Sequence, residues 1–219
     1  MDFVKAFTFI FDDPDWIKKV GIVALVSLIP IVGSLVLLGY ALEAGQRVIR
    51  QDAQLLPDLD FGAQLGLGFK SFVIGLVYAI PAILIYLPMV IVPIALSSGE
   101  NSDTANTAVL GVMVCCGGLL LLYGILMMVL IPAAHGNFIA TGQLGAAFRF
   151  GEIFSLLRAA PGAYLMVLLG GLIGGFIAPL GTIACGVGVL LTAAYVSIVM
   201  GSLYARAYNA AIANGALRM

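Results

Sequence analysis

The sequence predicts an all-α, polytopic integral membrane protein with five or six membrane-embedded helices and two amphipathic interfacial helices. Of its 219 residues, 62% are hydrophobic and only 10% are charged. A soluble domain carries about 25% charged residues, so this chain is too apolar to cover a water-exposed surface. Uncharged stretches of about 20 residues or more recur, and each is long enough to cross a bilayer core of about 30 Å. We therefore expect a single membrane domain.

Charge and cysteine content narrow the classes of function. The net charge of −1 gives no reason to expect a nucleic-acid partner. Cys115, Cys116 and Cys185 lie in apolar segments, where cysteine usually behaves as a small hydrophobe, and their spacing is not that of a metal site. We expect no metal, no cofactor and no disulfide framework, and we expect membrane lipids around the chain.

The first residues predict an interfacial helix. We expect it not to be cleaved as a signal peptide, because it contains aspartates and the apolar run after it is too long for a signal peptide. Asp2 can cap the helix and Pro14 ends it. A helix of this length is too short to span, so we expect it to lie in the membrane interface. One helical face carries four apolar residues spaced i, i+4, i+7 and i+8: Phe3, Phe7, Ile10 and Phe11.

The stretch Val20–Leu42 is uncharged and, at 1.5 Å per residue, roughly 34 Å long as a helix. Pro30 removes a backbone donor and Gly33 adds flexibility, so the stretch is either one kinked span or a hairpin that turns at Pro30–Gly33. Local sequence favours the kinked span. The positive-inside rule favours the hairpin, because all ten Lys and Arg residues then lie on one side, with the acidic loop 97–106 opposite. We adopt the hairpin, with both termini in the cytoplasm and the protein in a prokaryotic inner membrane.

The rest of the chain predicts two further pairs of spans. The spans within 71–134 are expected to end near Leu96 and Pro132, and three prolines imply that the first is bent or broken: Pro81, Pro88 and Pro93. A second interfacial helix is expected from the i, i+3, i+4, i+7 pattern that starts at Phe150. The chain then divides into 1–70 (interfacial helix, broken element and polar loop), 71–134 (two spans), 135–162 (interfacial helix), 163–205 (helical hairpin) and 206–219 (tail).

Two internal echoes suggest a duplication. The segment 64–70 resembles 143–149, since both contain Gln-Leu-Gly and end in an aromatic residue and a base. Both ends of the chain also show the same features in the same order: a Phe-rich helix, a proline, an aromatic residue, an apolar run and a Pro–Gly turn. The turns are at Pro30–Gly33 and at Pro179–Gly181. Transporter folds often contain such repeats. Chance similarity among abundant Gly, Leu and Phe residues is the alternative.

Few residues qualify as functional candidates. The uncharged spans argue against an ion path or a proton relay. Glu43 and Arg47 share a helical face and could hold a lipid headgroup, although a simple i, i+4 ion pair is the alternative. His135 is the only histidine, and it suggests a boundary residue more than a ligand. No Ser/His/Asp set is evident, so we assign no catalytic residue and expect no enzymatic activity.

Small residues are the structural candidates. Gly170, Gly171, Gly174 and Gly175 form two overlapping GxxxG patterns, which let helix backbones approach closely. Packing within the fold is one interpretation, and self-association or a partner helix is the other. Pro30 with Gly33, and Pro179 with Gly181, are the expected turning points.

Several short motifs resemble the bacterial and archaeal domain-of-unknown-function family 4013. They are Asp13-Pro14-Asp15-Trp16-Ile17-Lys18-Lys19, Leu28-Ile29-Pro30-Ile31-Val32-Gly33, Gly39-Tyr40, Arg47-Val48-Ile49 and Leu56-Pro57-Asp58-Leu59-Asp60. Leu59 departs from the pattern, which has an aromatic residue there. The resemblance covers the N-terminal third best and implies a polytopic membrane protein without an established activity. We expect a scaffold or accessory subunit of a larger membrane complex; a transporter or lipid-handling protein for a neutral or amphiphilic ligand is the alternative.

Overall fold

The computed structural model describes residues 2–96, 103–184 and 187–216. Within these residues the secondary structure is helical throughout, in eight α-helices and three short 3₁₀ turns. The helices are α1 (Phe3–Thr8), α2 (Trp16–Val26), α3 (Val32–Arg50), α4 (Phe61–Leu96), α5 (Asp103–Thr141), α6 (Phe150–Ala159), α7 (Pro161–Leu180) and α8 (Val187–Ala213). The 3₁₀ turns are Phe9–Asp12, Leu144–Phe148 and Gly181–Ala184.

Four helices in the described part of the chain are long and apolar enough to cross a membrane. They are Phe61–Leu96, Asn106–Thr141, Pro161–Leu180 and Gly188–Ala213. Together with the helical secondary structure of the described residues, these four helices confirm the predicted all-α membrane fold.

The N-terminal segment packs on α8. Asp2 caps α1 as predicted, because its Oδ1 accepts a hydrogen bond of 3.1 Å from the Lys5 amide. The hydroxyls of Tyr195 and Ser202 on α8 donate to backbone carbonyls of this segment. Phe9 is buried and Phe11 is half-exposed, which differs from the predicted face. The reason is the 3₁₀ turn at Phe9–Asp12, whose tighter winding rotates these side chains away from an α-helical pattern.

The stretch Val20–Leu42 is a hairpin rather than one kinked span. Helix α2 ends at Val26 and α3 begins at Val32, and Ile31 between them has a φ of 65°, which is unusual for a β-branched residue. A Cβ added at Gly33 would come closer than 3.0 Å to the backbone at the end of α2. Gly33 therefore allows the two helices to approach at the turn.

The two ends of this hairpin differ in character. At its tip, the apolar side chains of Leu28, Ile29 and Ile31 are exposed. At its base, Lys19 contacts the carbonyl of Leu56, which lies beyond the end of α3, so both arms begin and end on the same side. With 11 residues, α2 is roughly 17 Å long, about half a bilayer core. Helix α2 is therefore too short to cross a bilayer core by itself.

Helices α4, α5 and α8 are longer than the sequence patterns predicted. Helix α4 begins at Phe61 and is continuous past Pro81, Pro88 and Pro93, so the broken helix is not observed. Helix α5 continues past Pro132 to Thr141. In an apolar environment each proline costs one backbone hydrogen bond, whereas a full break would expose several unsatisfied groups.

The predicted tail 206–219 is mostly helical. Helix α8 continues to Ala213, and the Asn214 amide then donates a hydrogen bond of 2.9 Å to the Ala159 carbonyl at the end of α6. Helix α7 ends at Leu180, beside the predicted Pro179–Gly181 turn, and the Thr192 hydroxyl of α8 donates to Ala178 of α7 at 2.9 Å. Residues 97–102 of the acidic loop and Cys185 lie outside the described residues, whereas Cys115 and Cys116 are free thiols.

The chain divides into two compact units. The first contains the residues up to Val73 and those from Val129 onward, and α3 packs on α8 at its centre. Gly45 and Gly201 make this packing close, because a Cβ at either would overlap the backbone of the other helix. The second unit is Ile74–Met128, in which the Tyr123 hydroxyl donates to the Tyr78 carbonyl.

Candidate functional site

Polar side chains from three parts of the chain meet at the base of the α2–α3 hairpin. They surround the turn Leu56–Asp58, which connects α3 to α4. We call this group the hairpin-base cluster: Asp13, Lys19, Tyr40, Glu43, Arg47, Asp58 and Gln64.

Lys19 is the charged centre of the cluster. Its ammonium group donates to Asp13 Oδ2 at 2.8 Å and to the Leu56 carbonyl at 3.2 Å, and it lies 3.5 Å from Asp58 Oδ1. The Lys19 and Asp13 side chains are only 8% and 7% exposed. Burial alone would raise the pKa of the Asp13 carboxyl, but hydrogen bonds from Lys19 and the Asp15 amide hold that pKa below its ordinary value. The two charges therefore form a buried ion pair.

Three consecutive carbonyls of the turn each accept a hydrogen bond from a different element. Lys19 of α2 donates to Leu56, the Tyr40 hydroxyl of α3 donates to Pro57 at 2.9 Å, and Gln64 Nε2 of α4 donates to Asp58 at 2.9 Å. The Tyr40 hydroxyl donates this hydrogen bond from a fully buried side chain. The cluster thus fixes the path of the chain from the hairpin into the first long span.

Glu43 and Arg47 belong to the same cluster. Glu43 Oε1 accepts from Arg47 at 3.3 Å, and Glu43 Oε2 accepts from Gln64 at 3.0 Å. Arg47 also donates to the Gln54 carbonyl at 3.4 Å. The pair lies beside a cavity of about 270 Å³. Its charges are largely satisfied within the chain, and headgroup binding by these two residues stays a prediction.

The predicted glycine positions on α7 face different surroundings. A Cβ at Gly170 would overlap Leu203, and one at Gly174 would overlap Val196, so this pair lies against α8. Gly175 has nothing within 4 Å. At the end of α7, a Cβ at Gly181 would overlap the backbone of Gly188, which places a close approach beside Pro179. Association with another chain through these glycines stays a prediction.

A Ser–His contact is present that the sequence patterns did not indicate. Ser71 Oγ of α4 lies 2.8 Å from His135 Nε2 of α5, and His135 Nδ1 lies 3.0 Å from the Ile131 carbonyl. A carbonyl only accepts, so Nδ1 carries the proton and, in the neutral ring, Nε2 accepts from the serine hydroxyl. Both side chains are buried. The geometry is that of a hydrogen bond between two helices, which holds the start of α4 to the end of α5.

A second buried contact also went unpredicted. Asn137 Nδ2 donates to the Ala146 carbonyl at 3.0 Å and to Glu152 Oε2 at 2.8 Å, and Arg149 donates to the other Glu152 oxygen at 3.2 Å. These contacts connect α5 to α6. Among the described residues, no group of three or more His, Cys, Asp or Glu side chains could hold a metal ion.

A family model matches most of the chain. Residues 22–187 match the family described as "Protein of unknown function (DUF4013)". The match contains Pro30, Gly33, Tyr40 and the Leu56–Asp58 turn, and it begins after Asp13 and Lys19. It also extends well past the N-terminal third in which the resemblance was clearest. No curated protein and no solved structure matches the chain. Because the match covers most of its length, the chain belongs to the DUF4013 family.

Proposed function

We propose that this protein is a non-enzymatic scaffold or accessory subunit of a larger membrane complex. The observation that supports this proposal is the unit Ile74–Met128. The most apolar stretches of α4 and α5, the two helices that form this unit, contain almost no buried residues. Many of their large apolar side chains are exposed and are therefore available to lipid or to other proteins.

The exposed surface of α5 includes a stripe of small residues. Gly111, Cys115 and Gly118 are exposed at i, i+4 and i+7, and a Cβ at Gly111 or Gly118 would have nothing within 4 Å. Lipid chains gain little from such a groove, whereas the backbone of a second helix can approach it closely. The partner expected here is a transmembrane helix, from another protein or from a second copy of this chain.

Bulk added to this stripe is expected to release the partner. The double variant Gly111→Leu/Gly118→Leu should lose most of a stoichiometric partner that copurifies from native membranes in mild detergent, because the leucines hold the backbones apart. Gly124→Leu is the matched control, since Gly124 is also open but lies on a different face of α5. Quantitative mass spectrometry of the purified material measures the molar ratio of the partner to this protein.

Two results would contradict this proposal. One is recovery of the wild-type chain only as a homogeneous monomer under native conditions. The other is equal loss of the partner in the control and in the double variant, which would assign the effect to added bulk anywhere on α5.

We infer that both termini are cytoplasmic in a prokaryotic inner membrane. Lys5 and Leu56 line one cavity, and Lys19 lies in the hairpin-base cluster with Arg47, which supports a common basic side. In a chain whose native cysteines are replaced, Lys5→Cys is expected to react only with a thiol reagent on the cytoplasmic side. Asn106→Cys, in the first turn of α5 after the acidic loop, should react only from outside. Labelling of both from the same side would contradict the hairpin topology.

A transporter or lipid-handling role is the second candidate. The element order supports it, because α1, α2 and α3 are followed later by α6, α7 and α8 in the same sequence of short helix, helix, turn and helix. This order is compatible with the suggested duplication, and transporter sites often lie between repeats. A neutral or amphiphilic molecule that copurifies in place of a protein partner would favour this role.

A further inference from the structure

A small cavity opens beside the hairpin-base cluster, between the start of α2 and the Asp58–Leu59 segment. Its volume is about 220 Å³, room for roughly seven water molecules at about 30 Å³ each. It is lined by Asp15, Lys18, Lys19, Ile22, Asp58 and Leu59.

The charges around this cavity differ in availability. The Lys19 ammonium is already engaged by Asp13, Leu56 and Asp58. Lys18 and Asp15 are exposed, and their side chains make no hydrogen bond or ion pair with any residue that the structure describes. The Asp58 side chain is 84% exposed, with only a 3.5 Å contact to Lys19. One cation and two carboxylates therefore remain for a ligand.

An apolar path leads away from the cavity toward the hairpin tip. Ile22 and Leu25 follow Lys18 at i+4 and i+7, and both side chains are exposed. This spacing places them on the same face of α2 as Lys18, and the exposed Ile29 follows in the turn after α2. A molecule that fits both features has a polar head and an acyl chain.

We propose that the cavity binds the headgroup of a phospholipid that carries both a phosphate and a primary ammonium group. Lys18 binds the phosphate, Asp15 and Asp58 bind the ammonium, and one acyl chain lies along Ile22 and Leu25. Mixed charge is the reason for this choice. The lining carries two cations, Lys18 and Lys19, and two carboxylates, Asp15 and Asp58. Because Lys19 is already paired with the buried Asp13, the groups left for a ligand are one cation and two carboxylates, which favour a headgroup that itself carries both charges over a purely anionic one.

Native mass spectrometry of the full chain with three lipids tests this proposal, independently of any protein partner. Phosphatidylethanolamine is the expected ligand. Phosphatidylcholine has no N–H donors and phosphatidylglycerol has no cation, so both are expected to bind at least fivefold more weakly. Equal binding of all three lipids, or strongest binding of phosphatidylglycerol, would overturn the proposal.

Variants test which residues bind the phosphate and which bind the ammonium group of the lipid. Lys18→Gln is expected to weaken phosphatidylethanolamine binding about tenfold, as for the loss of one charge-assisted hydrogen bond. Asp15→Asn/Asp58→Asn should remove the preference over phosphatidylglycerol. Lys5→Gln removes the same charge beside a different cavity and should leave binding unchanged. Thermal unfolding of each variant establishes that it is folded, and unchanged lipid binding in folded Lys18→Gln protein would overturn the assignment.

Discussion

Gly68→Ala is expected to destabilise the protein by about 3 kcal/mol, although it adds only one methyl group. Helices α3 and α4 cross at Gly39 and Gly68. A Cβ at Gly68 would overlap the Leu35 carbonyl, and one at Gly39 would overlap the Gln64 carbonyl. Both obstacles are backbone atoms, which cannot rotate away as a flexible side chain can. The methyl group therefore forces the helices apart and loosens the buried contacts around Gln64.

Gly66→Ala is the matched control for this prediction. Gly66 lies two residues earlier on α4, is exposed, and has nothing within 4 Å of an added Cβ. Alanine there gains up to about 1 kcal/mol of helix propensity, so this variant should be as stable as the wild type or more stable. Unfolding of both variants in the same detergent gives the difference in free energy. Similar stabilities of the two variants would show that the crossing is looser than the structure indicates.

The membrane elements were predictable from the sequence for a simple physical reason. Long uncharged stretches must be helical in lipid, and the side on which lysine and arginine gather is visible without a structure. The hairpin at Pro30 followed from that charge pattern, although local sequence favoured a single span. The ends of the helices were less predictable, because a proline usually ends a helix in a soluble protein, whereas Pro132 lies inside α5.

The contacts that hold these elements together were not predictable in the same way. The family resemblance contained Tyr40 and the Leu56–Asp58 turn, but nothing in the sequence joins the hydroxyl of one to a carbonyl of the other. Ser71 and His135 are separated by 64 positions. Gly39 and Gly68 lack the GxxxG spacing that drew attention to α7, and yet they lie at a closer crossing. Each of these contacts joins residues that are distant in sequence, so periodicity along one helix does not predict it.

The role of the hairpin-base cluster can be measured through its one buried ion pair. Lys19→Met is expected to cost about 3–5 kcal/mol of unfolding free energy, because it leaves the Asp13 carboxylate buried and the Leu56 carbonyl without its donor. Lys18→Met, the neighbouring and exposed position, should change the stability by no more than about 0.5 kcal/mol. The double variant Asp13→Asn/Lys19→Met should be more stable than Lys19→Met alone, since it removes the unpaired charge. Together with the wild type and Asp13→Asn, these two variants form a double-mutant cycle, which gives the coupling energy between Asp13 and Lys19.

The pH dependence separates this ion pair from simple loss of packing. Because the folded protein holds the pKa of Asp13 below its ordinary value of 3.8, the carboxylate stabilises the fold above about that pH, and this stabilisation is lost as the pH falls through the lowered pKa. In Lys19→Met, burial acts without its main opposing hydrogen bond, so the pKa of Asp13 rises and protonation relieves the buried charge. The destabilisation by Lys19→Met should therefore shrink as the pH is lowered from about 7 to about 3. A deficit that stays constant over this range would mean that Lys19 acts through its aliphatic chain, and that the cluster at the base of the hairpin is held by packing rather than by charge.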